Sequence, residues 1–247
     1  MDEAYFVSDV HLTDLESSRT RAFLKFLKEL NQKKADNNIR LFFVGDIFDL
    51  WISDYTYFQN KFAPIIHEIK EFIKTGNELY YFEGNHDLYL KDFWQKEIGA
   101  TVVADFEYYE INGIKVRVEH GDLADPEDKG YRFLRAFLRN LIVRFILSRL
   151  PEGFLVKLGE MSSRSSRKYT SEVKVVSDDD GKNKIIAYAD KCYDHRPFDL
   201  MVTGHTHIFD DAKTKNYRSI NLGSWFDTPK YLQISSNTTE IVIMELA

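Results

Sequence analysis

Five short runs of aliphatic and aromatic residues each pass, with no intervening helix, into polar residues of the kinds that hold metal ions. Residues 5–8 lead to Asp9-Val10-His11, 41–44 to Gly45-Asp46, and 79–82 to Gly84-Asn85-His86-Asp87. Residues 114–118 lead to His120-Gly121-Asp122, and 198–202 to Gly204-His205-Thr206-His207. Runs of this length and composition read as buried strands. Helix-period segments lie between the first three: 21–30, with apolar residues at 23, 24, 27 and 30, and 62–73, with apolar residues at 62, 65, 66, 69, 72 and 73. Strands alternating with helices predict a largely parallel first half. Further strand-like runs at 217–220 and 241–244, with turn signals at 221–224 and 227–229, predict a more antiparallel second half. Open α/β sheets bind ligands beyond the carboxyl ends of their strands, so five such ends can converge on one site.

The donor types narrow the chemistry. Carboxylate, imidazole and amide donors with no thiolate beside them suit Mn²⁺, Fe or Zn²⁺ rather than a cysteine-rich structural zinc, and Cys192 is the only cysteine. In Asp9/His11 and His205/His207 a spacing of two puts both side chains on one side of an extended chain, with Val10 and Thr206 turned away. Glycines at 45, 84, 121 and 204 permit tight turns beside the donors. Any one of these motifs alone has an ordinary explanation: Asp-x-His is often accidental, Gly-Asp is a common turn, and the histidines can be satisfied polar groups at strand ends. All five in this order, each behind a strand, favour a metal site.

As a set, D-x-H, G-D, G-N-H-D, H-G-D and G-H-x-H resembles the calcineurin-like metallophosphoesterase superfamily over residues 9–207. The resemblance implies an α/β fold, a four-layer αββα sandwich with a helical lid insertion, as a single domain over residues 1–247 with the lid at about 127–170. By family pattern Asp9, His11, Asp46 and His207 hold one metal ion, and Asp46, Asn85, His120 and His205 hold the other, Asp46 bridging the two. The implied cofactors are two divalent ions, Mn²⁺ first with Fe or Zn²⁺ as alternatives. Such a pair makes hydroxide available near neutral pH, so neither Ser nor Cys is needed as the nucleophile. His86, beside Asn85, is the catalytic candidate for stabilising phosphoryl oxygens or protonating the leaving oxygen. Asp87 and Asp122 read as groups that orient imidazoles.

One segment departs from the α/β rhythm. Residues 131–170 carry nine basic and two acidic residues, a net +7, in a chain of net −6 whose remainder is therefore −13. An acidic body with one basic segment argues against nucleic acid and for one local anionic partner. Of residues 131–158, 17 of 28 are hydrophobic, against 44% for the chain. On a helical wheel Arg132, Arg135 and Arg139 cluster opposite Leu134, Phe137, Leu138, Leu141 and Phe145. With residues 45–51 (GDIFDLW), 120–123 (HGDL) and 128–135 (DKGYRFLR), this insertion resembles the UDP-2,3-diacylglucosamine pyrophosphatases of lipid A synthesis.

That narrower resemblance implies hydrolysis of a lipid-linked nucleotide diphosphate to UMP and 2,3-diacylglucosamine 1-phosphate. It implies contacts from Tyr131, Arg164, Arg167 and Lys168 to the diphosphate and sugar. It also implies a lid whose inner face takes acyl chains and whose outer apolar and basic residues rest on an anionic membrane, the cytoplasmic face of a bacterial inner membrane. His86 departs from the best-known branch, which has Arg at that position. Two alternatives are a phosphodiesterase or pyrophosphatase acting on another nucleotide or lipid phosphoester, and a non-catalytic metal-binding scaffold.

The rest of the chain adds exclusions. The longest stretch free of Asp, Glu, Lys and Arg is the ten residues 200–209, about half of what a membrane-spanning helix requires. Met1-Asp2-Glu3 leads into an apolar run without the basic start of a secretory signal. A single cysteine precludes an intrachain disulfide, which suits a reducing cytoplasm. Cys192 reads as a small apolar core residue, and residues 178–181 (DDDG) as a solvated turn.

Overall fold

The computed structural model describes residues 2–33, 38–147, 149–157, 159, 161, 178–226, 228–236 and 238–244. Strand β1 (Glu3–Val7) is apolar on both faces because both are covered. Ala4 and Phe6 point into one core, Tyr5 and Val7 into another. The same alternation runs through β2 (Ile39–Phe43) and β4 (Glu78–Phe82): Leu41, Phe43, Leu79 and Tyr81 join Tyr5, while Phe42 and Phe82 join Phe6. This double burial explains why these strands read as continuous apolar runs.

The first core is closed by α1 (Ser18–Asn31) and α3 (Ala63–Lys74), through Phe23, Phe26, Leu27, Ile65, Ile69 and Phe72. Ser17 caps α1, its hydroxyl accepting from the Thr20 amide at 3.2 Å, and Asp14 accepts from the amides of Glu16 and Ser17. Between α1 and α3 lie the two-residue strand β3 (Trp51–Ile52), paired with β5 (Asp87–Leu88), and α2 (Thr56–Lys61).

The second core lies between two sheets. The six-stranded sheet has the order β13-β12-β1-β2-β4-β6, where β6 is Thr101–Val103, β12 Lys230–Ile234 and β13 Thr239–Ile243. The five-stranded sheet has the order β10-β11-β9-β8-β7, from β7 (Phe106–Ile111), β8 (Ile114–Glu119), β9 (Leu200–Thr203), β10 (Phe209–Lys213) and β11 (Arg218–Leu222). Val116, Val118, Leu200, Val202, Ile220 and Leu222 pack against Phe6, Phe42 and Phe82 across the gap. Phe42 stacks on Phe6 at 4.4 Å and on Tyr80 at 4.8 Å, and meets Tyr109 edge-on at 4.9 Å. On the outer face of the second sheet, the helix Asp178–His195 covers Phe198, Met201 and Tyr217 with Ala189. The result is the four-layer αββα sandwich.

The parallel first half is present as β1-β2-β4-β6. The second half is antiparallel at β10–β11, β12–β13 and β1–β12, but β8–β9 and β9–β11 are parallel. The insertion holds α4 (Lys129–Leu138) and α5 (Leu141–Leu147). Residues 178–181 are not a turn: they open α6 (Asp178–His195), where acidic residues complement the positive end of the helix dipole. Cys192 lies on this helix, half-buried, and burial pushes its thiol pKa up.

Phe42→Ala removes the ring that joins both sheets, and a loss of about 3–5 kcal/mol in unfolding free energy is expected. Urea denaturation measures it, and a loss under about 1 kcal/mol would mean the sheets do not pack through this residue.

Candidate metal centre

All five strand ends point the same way and their loops are stitched to one another. The Asp9 amide donates to Gly45 O at 3.1 Å, the His11 amide to Asp46 O at 3.1 Å, and the Gly204 amide to His120 O at 2.9 Å. The donor-bearing residues are not extended. Asp9, His11, Asp46, His205 and His207 have φ of 50°, 50°, 54°, 71° and 61°, in the left-handed region that non-glycine residues seldom enter. The same-side argument for Asp9/His11 and His205/His207 is therefore corrected: the chain curls through these residues. His207 joins Asp9 and His11, while His205 joins Asp46 and His120. Backbone strain of this kind persists only where surrounding contacts enforce it.

Close approach to the carboxylates requires glycine at positions 84 and 204. A Cβ on Gly84 would fall on the Asp46 carboxylate, and one on Gly204 on Ser8 Oγ and Asp9 Oδ2.

Hydrogen bonds select which atoms face the centre. Asp9 Oδ2 accepts from Ser8 Oγ and from the His205 amide at 2.9 Å. Asp9 Oδ1, buried and with no hydrogen-bond partner, lies 3.4 Å from His207 Nε2 and 3.8 Å from His11 Nε2, which are 3.0 Å from each other. Asp46 Oδ1 accepts from the His86 amide at 2.9 Å, and Oδ2 lies 3.5 Å from His120 Nε2. Asn85 Oδ1 is 3.2 Å from His120 Nε2 and 3.0 Å from His205 Nδ1. The Nδ1 atoms of His120 and His86 face backbone carbonyls, Val44 O at 2.9 Å and Asp49 O at 2.8 Å. A carbonyl only accepts, so each Nδ1 carries the proton and Nε2 presents a lone pair when the ring is neutral. Donor atoms fall into three groups, each within 4.8 Å: Asp9/His11/His207, Asp46/His120/His205, and His11/Asp46/His86. An orphaned buried carboxylate oxygen facing converging imidazole nitrogens fits a cation.

The buried carboxylates and imidazoles act strongly on one another. Burial would raise the Asp46 carboxyl, but the imidazoles of His120, His86 and His11 hold it well below the ordinary carboxylate range. Burial likewise opposes the lowering of Asp9, which His207 brings about. Burial would lower His120, yet Asp46 raises it to about 10. His11 and His205 are driven down to about 4, chiefly by burial.

The two accessory aspartates do something other than orient imidazoles. Asp87 is wholly buried and accepts from the Ile47 and Phe48 amides at 2.8 and 3.3 Å and from Tyr81 Oη at 2.9 Å, which fixes the loop after Asp46. Asp122 accepts from Tyr131 Oη at 2.5 Å and Arg135 Nε at 2.6 Å, tethering α4 over the centre. The Tyr131 ring packs on His205 at 5.6 Å. Arg164, Arg167 and Lys168 lie outside the described residues.

The lid arginines also require a correction. Arg135 reaches Asp105 at 2.7 Å, Arg139 reaches Asp105 at 3.1 Å, and Arg144 pairs with Asp92. These cations grip the body. Outward stand Phe133, Leu134, Phe137, Leu141, Ile142, Phe145 and Ile146, with Leu141 78% and Phe133 74% exposed. Opposite charges are available on the body, and the apolar side is turned toward solvent.

Sequence reasoning missed Ser8, and it missed Asn221, which is buried and ties β11 to Thr203 Oγ1 at 3.0 Å and Gly204 O at 2.7 Å. A polar residue directly after the apolar Ile220 was the available signal. It also missed Phe226, whose ring lies 5.3 Å from that of His11.

Residues 4–209 match the sequence model of the calcineurin-like phosphoesterases. The chain belongs to the calcineurin-like phosphoesterase family. It is a metal-dependent phosphoester hydrolase. Among curated relatives, the phosphoesterase is 31% identical to a UDP-2,3-diacylglucosamine hydrolase of Ectopseudomonas mendocina (strain ymp), over 89% of this chain and 88% of the relative. It is 30% identical to the protein so named in Pseudomonas paraeruginosa (strain DSM 24068 / PA7), over 94% and 95%. A solved structure described as a novel archaeal phosphodiesterase superposes with a TM-score of 0.51 at 13% identity, covering 98% of this chain and 99% of that one, a likeness of fold alone. Among the described residues, no helix of the phosphoesterase is long and apolar enough to cross a membrane.

Asp122→Ala removes the acceptor shared by Tyr131 and Arg135. Amide exchange across residues 129–138 is expected to speed up by the equivalent of about 1–3 kcal/mol. Unchanged protection in hydrogen–deuterium exchange would show that α4 is held elsewhere.

Proposed function

We propose that this phosphoesterase hydrolyses the pyrophosphate bond of UDP-2,3-diacylglucosamine, releasing UMP and 2,3-diacylglucosamine 1-phosphate. One observation carries the reading: a centre of carboxylate, imidazole and amide donors lies directly beneath a helical cap with an outward apolar side. A diphosphate needs the former and two acyl chains need the latter.

In this proposal Asp9, His11, Asp46 and His207 hold one divalent ion, and Asp46, Asn85, His120 and His205 the other, Mn²⁺ being suited to an oxygen-and-imidazole donor set. When bound, the ions supply Lewis acidity at phosphorus and a water deprotonated near neutral pH. The chain's own residues do the rest. Asp46 is fixed by the His86 amide at 2.9 Å, and His120 is oriented by Val44 O. His86, its Nδ1 proton committed to Asp49 O at 2.8 Å, aims Nε2 at the centre. As an imidazolium it donates from Nε2 to a phosphoryl oxygen or to the departing oxygen. Tyr131, held by Asp122 and lying against His205, lines the sugar side, and Arg164, Arg167 and Lys168 are proposed to reach the diphosphate. Residues 127–170 serve as a lid on one metallophosphoesterase domain. Its apolar side receives acyl chains and rests on the membrane surface, with hydrophobic contact rather than lid arginines contributing most of the attraction.

Product analysis by mass spectrometry with Mn²⁺ tests the reaction: UMP and the monophosphorylated lipid are expected, and release of UDP or of inorganic phosphate would refute it. Asp46→Asn and His120→Ala are expected to abolish turnover and lose metal while keeping the native circular-dichroism spectrum. His86→Ala should keep its metal content and lose about 10²–10⁴ in turnover; loss of metal from that variant would make His86 a ligand instead. Phe137→Asp with Phe145→Asp is expected to lower kcat/KM for the diacylated substrate at least about tenfold relative to a small chromogenic phosphodiester, since burying a charge against lipid costs several kcal/mol. An equal fall on both substrates would assign these residues to folding.

A further inference from the structure

The two ends of the centre are furnished differently. Tyr131 covers His205 at the end nearer the lid. At the other end the Phe226 ring lies 5.3 Å from that of His11, tilted by 29°, and 6.0 Å from that of His207. The Arg19 guanidinium sits 3.9 Å over the Phe226 ring. His11, Phe226 and Arg19 thus form a stack running outward from the centre, and Phe226 remains 46% exposed.

Both outer members are held by rigid structure. The Phe226 amide donates to Ser224 Oγ at 3.0 Å, and its neighbour Trp225, wholly buried against Phe23, donates its amide to Asp9 O at 3.1 Å. Arg19 lies in the first turn of α1, whose start is fixed by the Ser17 cap and the Asp14 turn. Core packing does not account for a large aromatic ring left half in solvent beside a catalytic centre. Nor does the hydrolytic chemistry require one at this end.

We propose that Arg19 and Phe226 form the subsite for the nucleoside monophosphate half of the substrate, the pyrimidine ring lying on the guanidinium–aromatic stack and the Arg19 charge beside the nucleotide's phosphate. This rests on the pyrophosphate reading above. The acylated sugar belongs at the Tyr131 end, where the outward apolar side of the helical insertion lies nearest the centre, so in-line cleavage at a diphosphate between the two ends leaves the nucleotide half on the Phe226 side. Guanidinium planes and aromatic rings both stack on bases, and Arg does so while neutralising a phosphate, which Lys cannot reproduce. Stacking of this kind is worth a large factor in affinity without hydrogen-bond readout of the base.

Titration calorimetry of the full Mn²⁺-loaded chain with UMP and with ribose 5-phosphate tests it. Wild type is expected to bind UMP at least about tenfold more tightly than ribose 5-phosphate, in line with about 1–3 kcal/mol for stacking one base. Phe226→Leu should erase that preference while weakening ribose 5-phosphate less than about threefold. Arg19→Ala should weaken both ligands, and Arg19→Lys should restore ribose 5-phosphate but not the preference for UMP. Equal wild-type affinity for the two ligands, or a preference that survives Phe226→Leu in a protein with unchanged Tm, overturns the subsite. The substrate reading fails separately, if wild type releases no UMP from UDP-2,3-diacylglucosamine while the base preference and its loss on mutation persist.

Discussion

A buried carboxylate at Asp46 is the constraint around which the rest is arranged. Burial by itself would protonate this group, yet three imidazoles and the His86 amide keep it ionised. Holding it there demands a left-handed backbone at Asp46, a glycine at position 84 because any side chain would displace the carboxylate, and Asp87 to fix the loop that follows. The sandwich provides these supports because β1, β2 and β4 end side by side in one sheet and β8 and β9 end opposite them in the other. The aromatic packing of Phe6, Phe42 and Tyr80 between the sheets therefore also sets how close the two sets of loops come.

Helix α4 of the lid is joined to that centre chiefly by charge. Asp122 stands two residues after His120 and receives both Tyr131 and Arg135 of α4, so the helix is referenced to the same strand end that carries an imidazole of the centre. Farther out, Asp105 and Asp92 take up Arg139 and Arg144. Exposed ion pairs contribute little each, but the Asp122 carboxylate is buried and its two bonds are short. An amphipathic helix whose polar side is satisfied by its own protein must present its apolar side outward, and at α4 and α5 that side is large. Surfaces of this kind on a monomer are usually functional.

The strand ends and the clusters of polar residues behind them were legible in the sequence because each motif directly follows an apolar run, and both elements are local. The amphipathic insertion was legible for the same reason. The assignment of donors to two ions came only from the family resemblance. What only the tertiary structure decided were relations between distant segments. The wheel of α4 separates arginines from apolar residues but says nothing about which side meets the body; Asp105, Asp122 and Asp92 decide that from elsewhere in the chain. Asp87 and Asp122 carry the same label in a motif, and their partners, a pair of loop amides in one case and a tyrosine and an arginine in the other, follow from which loops lie above them. An i, i+2 spacing determines one side only for an extended chain, and the loops stitched together at Asp9, Asp46 and His205 impose positive φ instead. The stack of His11, Phe226 and Arg19 joins three segments that have no periodic relation in sequence, so it exists only once β11, α1 and the first strand end are packed together.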